Sequence, residues 1–363
     1  MSDNTKEIKE IKDTKEIKEI KDTKEIKEIK EIKDTKEIKE IKEIKEIKEI
    51  KEIKEIKEIT EITENQEPKK KKVSFSQYSM WMKCPHSWYL NYAKGLRKTD
   101  LNLNIFFGTA MHVAIQTYLE TLYSKGMVEA DSLDMYNLFK TKFHEEVEKE
   151  KDNFTYTNEE FAGFVKDGHD ILDTFLSASA RLKYFPNNKY EFIGVETPLN
   201  MEILNSVDFV AFVDLILKDK TTGKVKIYDF KTSSAGWNSY MKEDESKYSQ
   251  ILLYKAFYSK KFNVPLNMID VEFFILKRKL YENANFPQSR IQTFEPTNNN
   301  KAIVGALKGF TDFVKECFTP QGEYNLEVKY LKIPGKNKKN CKYCAHHKKL
   351  CDGKADKIEQ EIL

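Results

Sequence analysis

From Lys6 to about Ile62 the chain is a triplet array, mostly Lys-Glu-Ile with Lys-Asp-Thr substituted at several points, and this repeat confines any packed fold to the remainder. A residue that recurs at every third position of an α-helix advances by about 300° each time, so the isoleucines spiral round the axis and never align into a core-facing stripe. Each Lys has a Glu or Asp four residues later, which supports solvated, fluctuating helix but no packed domain. Residues 1–67 therefore read as a tolerated low-complexity tail. About 290 of the 363 residues remain, enough for one large domain or two small ones with a sizeable core.

Pro68 to Lys72, Pro-Lys-Lys-Lys-Lys, reads as a short basic linker that resembles a nuclear localisation signal and is equally suited to touching nucleic-acid phosphates. The folded domain is expected over 73–355, with a second tail at 356–363. A formal net charge of +3 is too small to imply a polyanionic partner, so any surface for one has to be local. No apolar run approaches the roughly 20 residues of a membrane span, and the N-terminus lacks a signal-peptide core. The expectation is a soluble intracellular protein with no membrane partner, cytoplasmic rather than nuclear. Five cysteines in such a compartment point to metal before disulfides, with Cys317 the odd one out.

Periodicity predicts helices over 76–92, 108–123, 132–150 and 159–182, then strands over 190–203, 207–217 and 224–231 with a Thr222-Gly223 turn before the last. A helix over 247–262, a strand over 268–277 and a helix over 300–317 complete the pattern. On the third strand, alternation puts Val225, Ile227, Asp229 and Lys231 on one face. Such a carboxylate and lysine taken alone are as consistent with a structural ion pair as with chemistry. Asp214 changes the balance, because it interrupts an almost wholly apolar strand where an unpaired carboxylate is costly. If the two strands pair through the turn, Asp214 and Asp229 converge into a hard oxygen site suited to Mg²⁺ or Mn²⁺, with Lys231 beside it. Asp208 is a candidate substitute for Asp214, and Glu196 on the first strand is placed to approach the same site. His112 shares a helical face with Ile115, Leu119 and Leu122, and Gln250 and Tyr254 lie one turn apart; each is open to a packing role as well as a functional one.

Asp214 within Ala211-Phe212-Val213-Asp214, then Asp229-Phe230-Lys231, then Gln250 to Tyr254 resemble the ordered G-x-x-D, D-x-K and Q-x-x-x-Y motifs of the RecB-like nucleases of the PD-(D/E)xK superfamily. Gly108-Thr109-Ala110-Met111-His112 resembles that family's upstream G-x-x-x-H helix. The resemblance implies an α/β, restriction-endonuclease-like core, a central mixed sheet flanked by helices, with a helical insertion. It further implies that Asp214 and Asp229 ligate the catalytic metal, with His112 and the Phe230 carbonyl as additional ligands and Lys231 as the catalytic lysine. Gln250 and Tyr254 are implied to contact substrate or brace the site. Ala211 departs from the family's glycine, a small-for-small exchange. Gln116 stands one turn after His112 where relatives often have Glu, which puts the second carboxylate of that helix in doubt.

Cys341 and Cys344 have chelating spacing, Cys351 follows, and Cys84 lies far upstream; four thiolates hold either zinc or an iron-sulfur cluster, and the spacing alone favours zinc. One cysteine before the nuclease motifs and three after them resemble the arrangement in AddB-type nucleases and the iron-sulfur nucleases of CRISPR adaptation. That order implies a four-iron, four-sulfur (4Fe-4S) cluster stapling the chain ends in a C-terminal cysteine cluster. The last gap is one residue longer than usual there, and His346 or His347 is available to complete a zinc site instead. Lysines 336, 338, 339, 342, 348 and 349 surround the cysteines with Tyr343 among them, and Trp81, Trp88 and Trp237 are candidates for stacking single-stranded bases. The resulting expectation is a metal-dependent DNA nuclease, an exonuclease by family analogy, acting in recombination, repair or phage DNA processing beside recombination or repair proteins. A non-catalytic DNA-binding protein that keeps the fold and cluster is the rival, opposed by the intact Asp214, Asp229 and Lys231. A nuclease acting on RNA or branched DNA is the third reading.

Overall fold

In the computed structural model residues 70–97, 101–342 and 344–354 are described; the triplet array, Pro68, Lys69, Tyr343 and the segment expected as a C-terminal tail lie outside them. A two-residue strand, β1 (Lys72–Val73), leads into helix α1 (Phe75–Lys83). The residue before a proline is pushed out of the helical region, and Cys84, with φ −162° and ψ 102°, ends α1 ahead of Pro85. A fresh helical segment runs from Pro85 to Ala93, so the single helix expected over 76–92 is two, broken at the first cysteine.

Helix α2 (Leu103–Ser124) begins five residues earlier than its motif suggested because the Asn102 side chain caps it, accepting from the Asn104 amide at 3.0 Å. Helices α3 (Met135–Lys149) and α4 (Asn158–Phe175) follow, the latter opened by a reciprocal Thr157–Glu160 capping box. The expected helix over 159–182 stops at Phe175 and resumes as Ala178–Tyr184. Then come β2 (Tyr190–Pro198), β3 (Met201–Glu202), β4 (Asp208–Phe209), β5 (Phe212–Asp219), β6 (Val225–Ser233), α5 (Glu245–Phe262), β7 (Ile269–Lys277), β8 (Ile291–Phe294) and α6 (Asn300–Cys317). β8, four residues with polar Gln292 and Thr293, carried no recognisable sequence signal.

The central sheet is mixed, in the order β2-β5-β6-β7-β8. β5 pairs antiparallel with both β2 and β6, while β6 and β7 are parallel and joined by the α5 crossover that parallel neighbours require. One face carries Val225, Ile227, Phe273 and Ile275 against α5, α6 and Tyr78 of α1. The other carries Tyr228, Phe230, Phe274 and Leu276 against α2, α3 and α4. Covering both faces explains why β6 and β7 read as near-continuous buried runs. Among the described residues no helix is long and apolar enough to cross a membrane.

A second, small sheet in the order β1-β4-β3 overturns one sequence expectation. The run over 207–217 is not one strand: Asp208 belongs to the small sheet, paired with Lys72 and Glu202, and does not share a strand with Asp214. Within the basic segment Lys72 is in β1, Lys70 pairs with Glu202 at 2.7 Å and Lys71 with Glu323 at 2.8 Å.

Candidate active site

The β5–β6 ladder ends at Leu215 opposite Tyr228. Asp214 and Asp229 are the next residues on each strand, so they face one another where the two strands part. With no further backbone partner, the Phe230 amide donates to the Asp214 carboxylate, N to Oδ2 2.6 Å. Asp229 is 1% exposed. Burial pushes its carboxyl up to about 6, against the opposing pull of Lys231, with the neighbouring Asp214 charge adding to the rise. The Lys231 ammonium lies 2.6 Å from Asp229 Oδ2, a buried ion pair. Lys231 Nζ also donates to Gln250 Oε1 at 2.9 Å, and Gln250 Nε2 donates to the Tyr254 hydroxyl at 2.8 Å. The one-turn spacing of Gln250 and Tyr254 on α5 thus builds a brace that aims the lysine.

His112 reaches the same place from the opposite helical layer. Gly108 makes this approach feasible, because a Cβ there would lie 3.2 Å from Thr232 Oγ1 at the end of β6. His112 Nδ1 is 3.6 Å from Asp214 Oδ1. Burial alone would lower the His112 pKa, but the Asp214 charge outweighs it and the imidazole is held above its usual value. Burial likewise opposes ionisation of Asp214, yet His112, Lys231 and the Phe230 amide hold its carboxyl below the usual range.

Glu196 completes the group. Val195 pairs with Leu215 and Thr197 with Val213, which sets Glu196 across from Asp214. Its φ of +44° is uncommon for a residue with a side chain and turns it out of the regular pleat. Gln116, one turn beyond His112, donates from Nε2 to Glu196 Oε1 at 2.5 Å and to the Asp214 carbonyl at 3.3 Å. Ligand atoms of His112, Glu196 and Asp214 all lie within 4.8 Å of one another, a candidate divalent-metal site. The sequence reading left Glu196 unassigned and took Gln116 as the loss of an acid. In the fold the glutamine is the clamp on a carboxylate supplied by the neighbouring strand.

Residues 72–352 match the family described as the PD-(D/E)XK nuclease superfamily. The chain belongs to the PD-(D/E)XK nuclease superfamily. Membership of a nuclease superfamily implies a nucleic-acid substrate. A solved structure from Eubacterium rectale, named "Putative exonuclease", is similar at 13% identity with a TM-score of 0.43, covering 73% of this chain and 86% of its own. No curated protein matches the chain.

In this PD-(D/E)XK nuclease Cys84, Cys341, Cys344 and Cys351 line one cavity, together with His346 and His347. The Ile333 amide donates to Cys84 Sγ at 3.4 Å, and Asn340 Nδ2 donates to the Lys83 carbonyl at 2.7 Å, tying the C-terminal loop to the end of α1. Burial, then the thiols of Cys344, Cys351 and Cys84, push the Cys341 thiol up. Gly353, at φ +65°, is required here, since a Cβ would fall 2.7 Å from the His347 ring. The four sulfurs are more widely set than the 4.8 Å grouping of His112, Glu196 and Asp214. Cys317 is fully buried in the core at the end of α6. Trp88 and Trp237, candidates for stacking bases, are core residues at 0% and 7% exposure, and Trp81 packs on Tyr78 and Phe313.

Proposed function

We propose that the chain is a Mg²⁺- or Mn²⁺-dependent deoxyribonuclease working from DNA ends, in recombination, repair or phage DNA processing. The observation that carries this reading is the cluster of His112, Glu196 and Asp214 at the parting of β5 and β6, with Asp229 on the facing strand and a braced Lys231 beside it. A compact cluster of oxygen and nitrogen ligands fits a hard divalent cation. Such a cation, when bound, supplies Lewis-acid stabilisation of phosphate charge and acidification of water. Asp214, Asp229, Glu196 and His112 hold it, and the Phe230 carbonyl lies between the two residues of the D-x-K motif. Lys231, aimed by Gln250 and Tyr254, orients the attacking water and steadies the charge that develops on the scissile phosphate. Gln116 fixes Glu196.

The cavity shared by Cys84, Cys341, Cys344 and Cys351 supports a four-iron, four-sulfur cluster with a structural task, joining α1 to the C-terminal loop.

The test is a time course on end-labelled single- and double-stranded DNA with EDTA, Mg²⁺ or Mn²⁺. Cleavage is expected only with metal and progressive from the ends, and Asp229→Ala or Lys231→Ala abolishes it while far-UV circular dichroism stays native. Full activity in either variant, or cleavage in EDTA, overturns the mechanism.

A further inference from the structure

A cleft runs from Lys231 and Gln250 of the active site to Cys84 and Cys344 of the C-terminal loop. Three more lysines from separate parts of the chain line it: Lys83 at the end of α1, Lys247 in the first turn of α5, and Lys339 on the loop. None of the three has a salt bridge within 4 Å among the described residues; Lys339 Nζ meets only the Tyr240 hydroxyl, at 3.3 Å, and its ring face. The single acid lining the cleft, Asp244, caps α5, accepting from the Ser246 amide at 3.0 Å and hydroxyl at 2.7 Å, and its one charge acts on Lys83, which leaves the lysines in excess. Like charges gathered in one cleft repel unless an anion lies between them. The Asn340 bond to the Lys83 carbonyl fixes the loop on α1, so the cysteine-bearing loop positions one side of this wall.

We infer that Lys83, Lys247 and Lys339 form a backbone-phosphate subsite that holds the nucleic-acid strand beyond the scissile phosphate, between the catalytic lysine and the cysteine loop. This rests on the nuclease reading for its ligand and adds where the strand lies. It also gives the cysteine loop a second task, since a displaced loop takes Lys339 off the track.

The test is binding of an end-labelled oligothymidylate of about twelve nucleotides by fluorescence anisotropy, using the full chain in EDTA so that nothing is cut, across a salt series. Each phosphate contact on a single strand contributes about 0.7 to the slope of log affinity on log salt, or about fourfold in affinity at 0.15 M salt. Lys83→Gln, Lys247→Gln and Lys339→Gln are each expected to lower the slope by about 0.7, and the triple variant by about 2 with about 50-fold weaker binding. Lys→Arg at each position restores it, and Lys308→Gln on the far face of α6 is the control. Unchanged affinity and slope in the triple variant overturn the inference, as does weaker binding with an unchanged slope, which marks a merely structural effect. Metal-dependent hydrolysis of a thymidine 5′-phosphate p-nitrophenyl ester by the wild-type chain is measured in parallel. If the ester is not cut, the nuclease chemistry fails while the lysine subsite is still judged by binding.

Discussion

Asp229→Asn is the substitution that most directly separates the chemistry of the site from its stability. Burial raises the Asp229 carboxyl from 3.8 to about 6 even with Lys231 beside it, so above neutrality the fold holds an ionised group that it disfavours. About two pKa units correspond to roughly 3 kcal/mol. A raised carboxyl contributes stability that is complete below its unfolded value and is lost as pH rises through its folded value. The metal-free protein should therefore shed stability between about pH 4 and 6, and the nearly isosteric, uncharged Asn removes that loss. At pH 7.5 in EDTA the variant should be more stable than wild type by roughly 3 kcal/mol, or about 5 °C in Tm for a domain of this size. At pH 4 the two should coincide. Mg²⁺ or Mn²⁺ should then stabilise the wild type at pH 7.5 and scarcely affect the variant, which is inactive. The assay is urea unfolding at the two pH values with and without metal. An Asn variant that is less stable than wild type at pH 7.5, by the same margin as at pH 4, refutes the argument that the fold strains this carboxylate for metal.

Three further predictions concern the groups around it. Gln116→Leu removes the donor on Glu196, so metal affinity by calorimetry should fall about 10- to 100-fold while the urea midpoint shifts by no more than about 1 kcal/mol; unchanged affinity excludes the clamp. His112→Ala removes the one nitrogen ligand, and since imidazole suits Mn²⁺ better than Mg²⁺, the ratio of Mn²⁺- to Mg²⁺-supported cleavage should drop; a constant ratio places His112 outside the metal set. Cys341→Ser should destabilise by several kcal/mol, the scale of losing a structural metal group. Wild-type protein purified without oxygen should contain iron and acid-labile sulfide, whereas stoichiometric zinc with no sulfide replaces the cluster by a zinc site.

Local periodicity carried much of the site. The alternation along β6 put Asp229 and Lys231 on one face, and the helical repeat of α5 put Gln250 and Tyr254 one turn apart, because each depends only on bonds within its own element. The same locality explains the errors. Asp208 and Asp214 share a parity, but a break between Phe209 and Phe212 sends them to different sheets. The helix expected over 76–92 ignored the local rule that Pro85 imposes on Cys84. β8 lacked the alternating apolar residues that betray a strand, and its place at the sheet edge comes from pairing with β7.

The sequence by itself determined the order of the carboxylates, the lysine and the cysteines. Tertiary structure alone decided which acids meet. Glu196 joins Asp214 through the register of β2 on β5 and a left-handed backbone, and Gln116 finds it across two layers. Lys83, Lys247 and Lys339 come to one cleft, and Cys84 to the cavity of Cys341, Cys344 and Cys351, from opposite ends of the domain. The physical reason is that strand register and the docking of distant segments are fixed by burial of the two faces of one sheet, a condition written in all the elements together and in none singly.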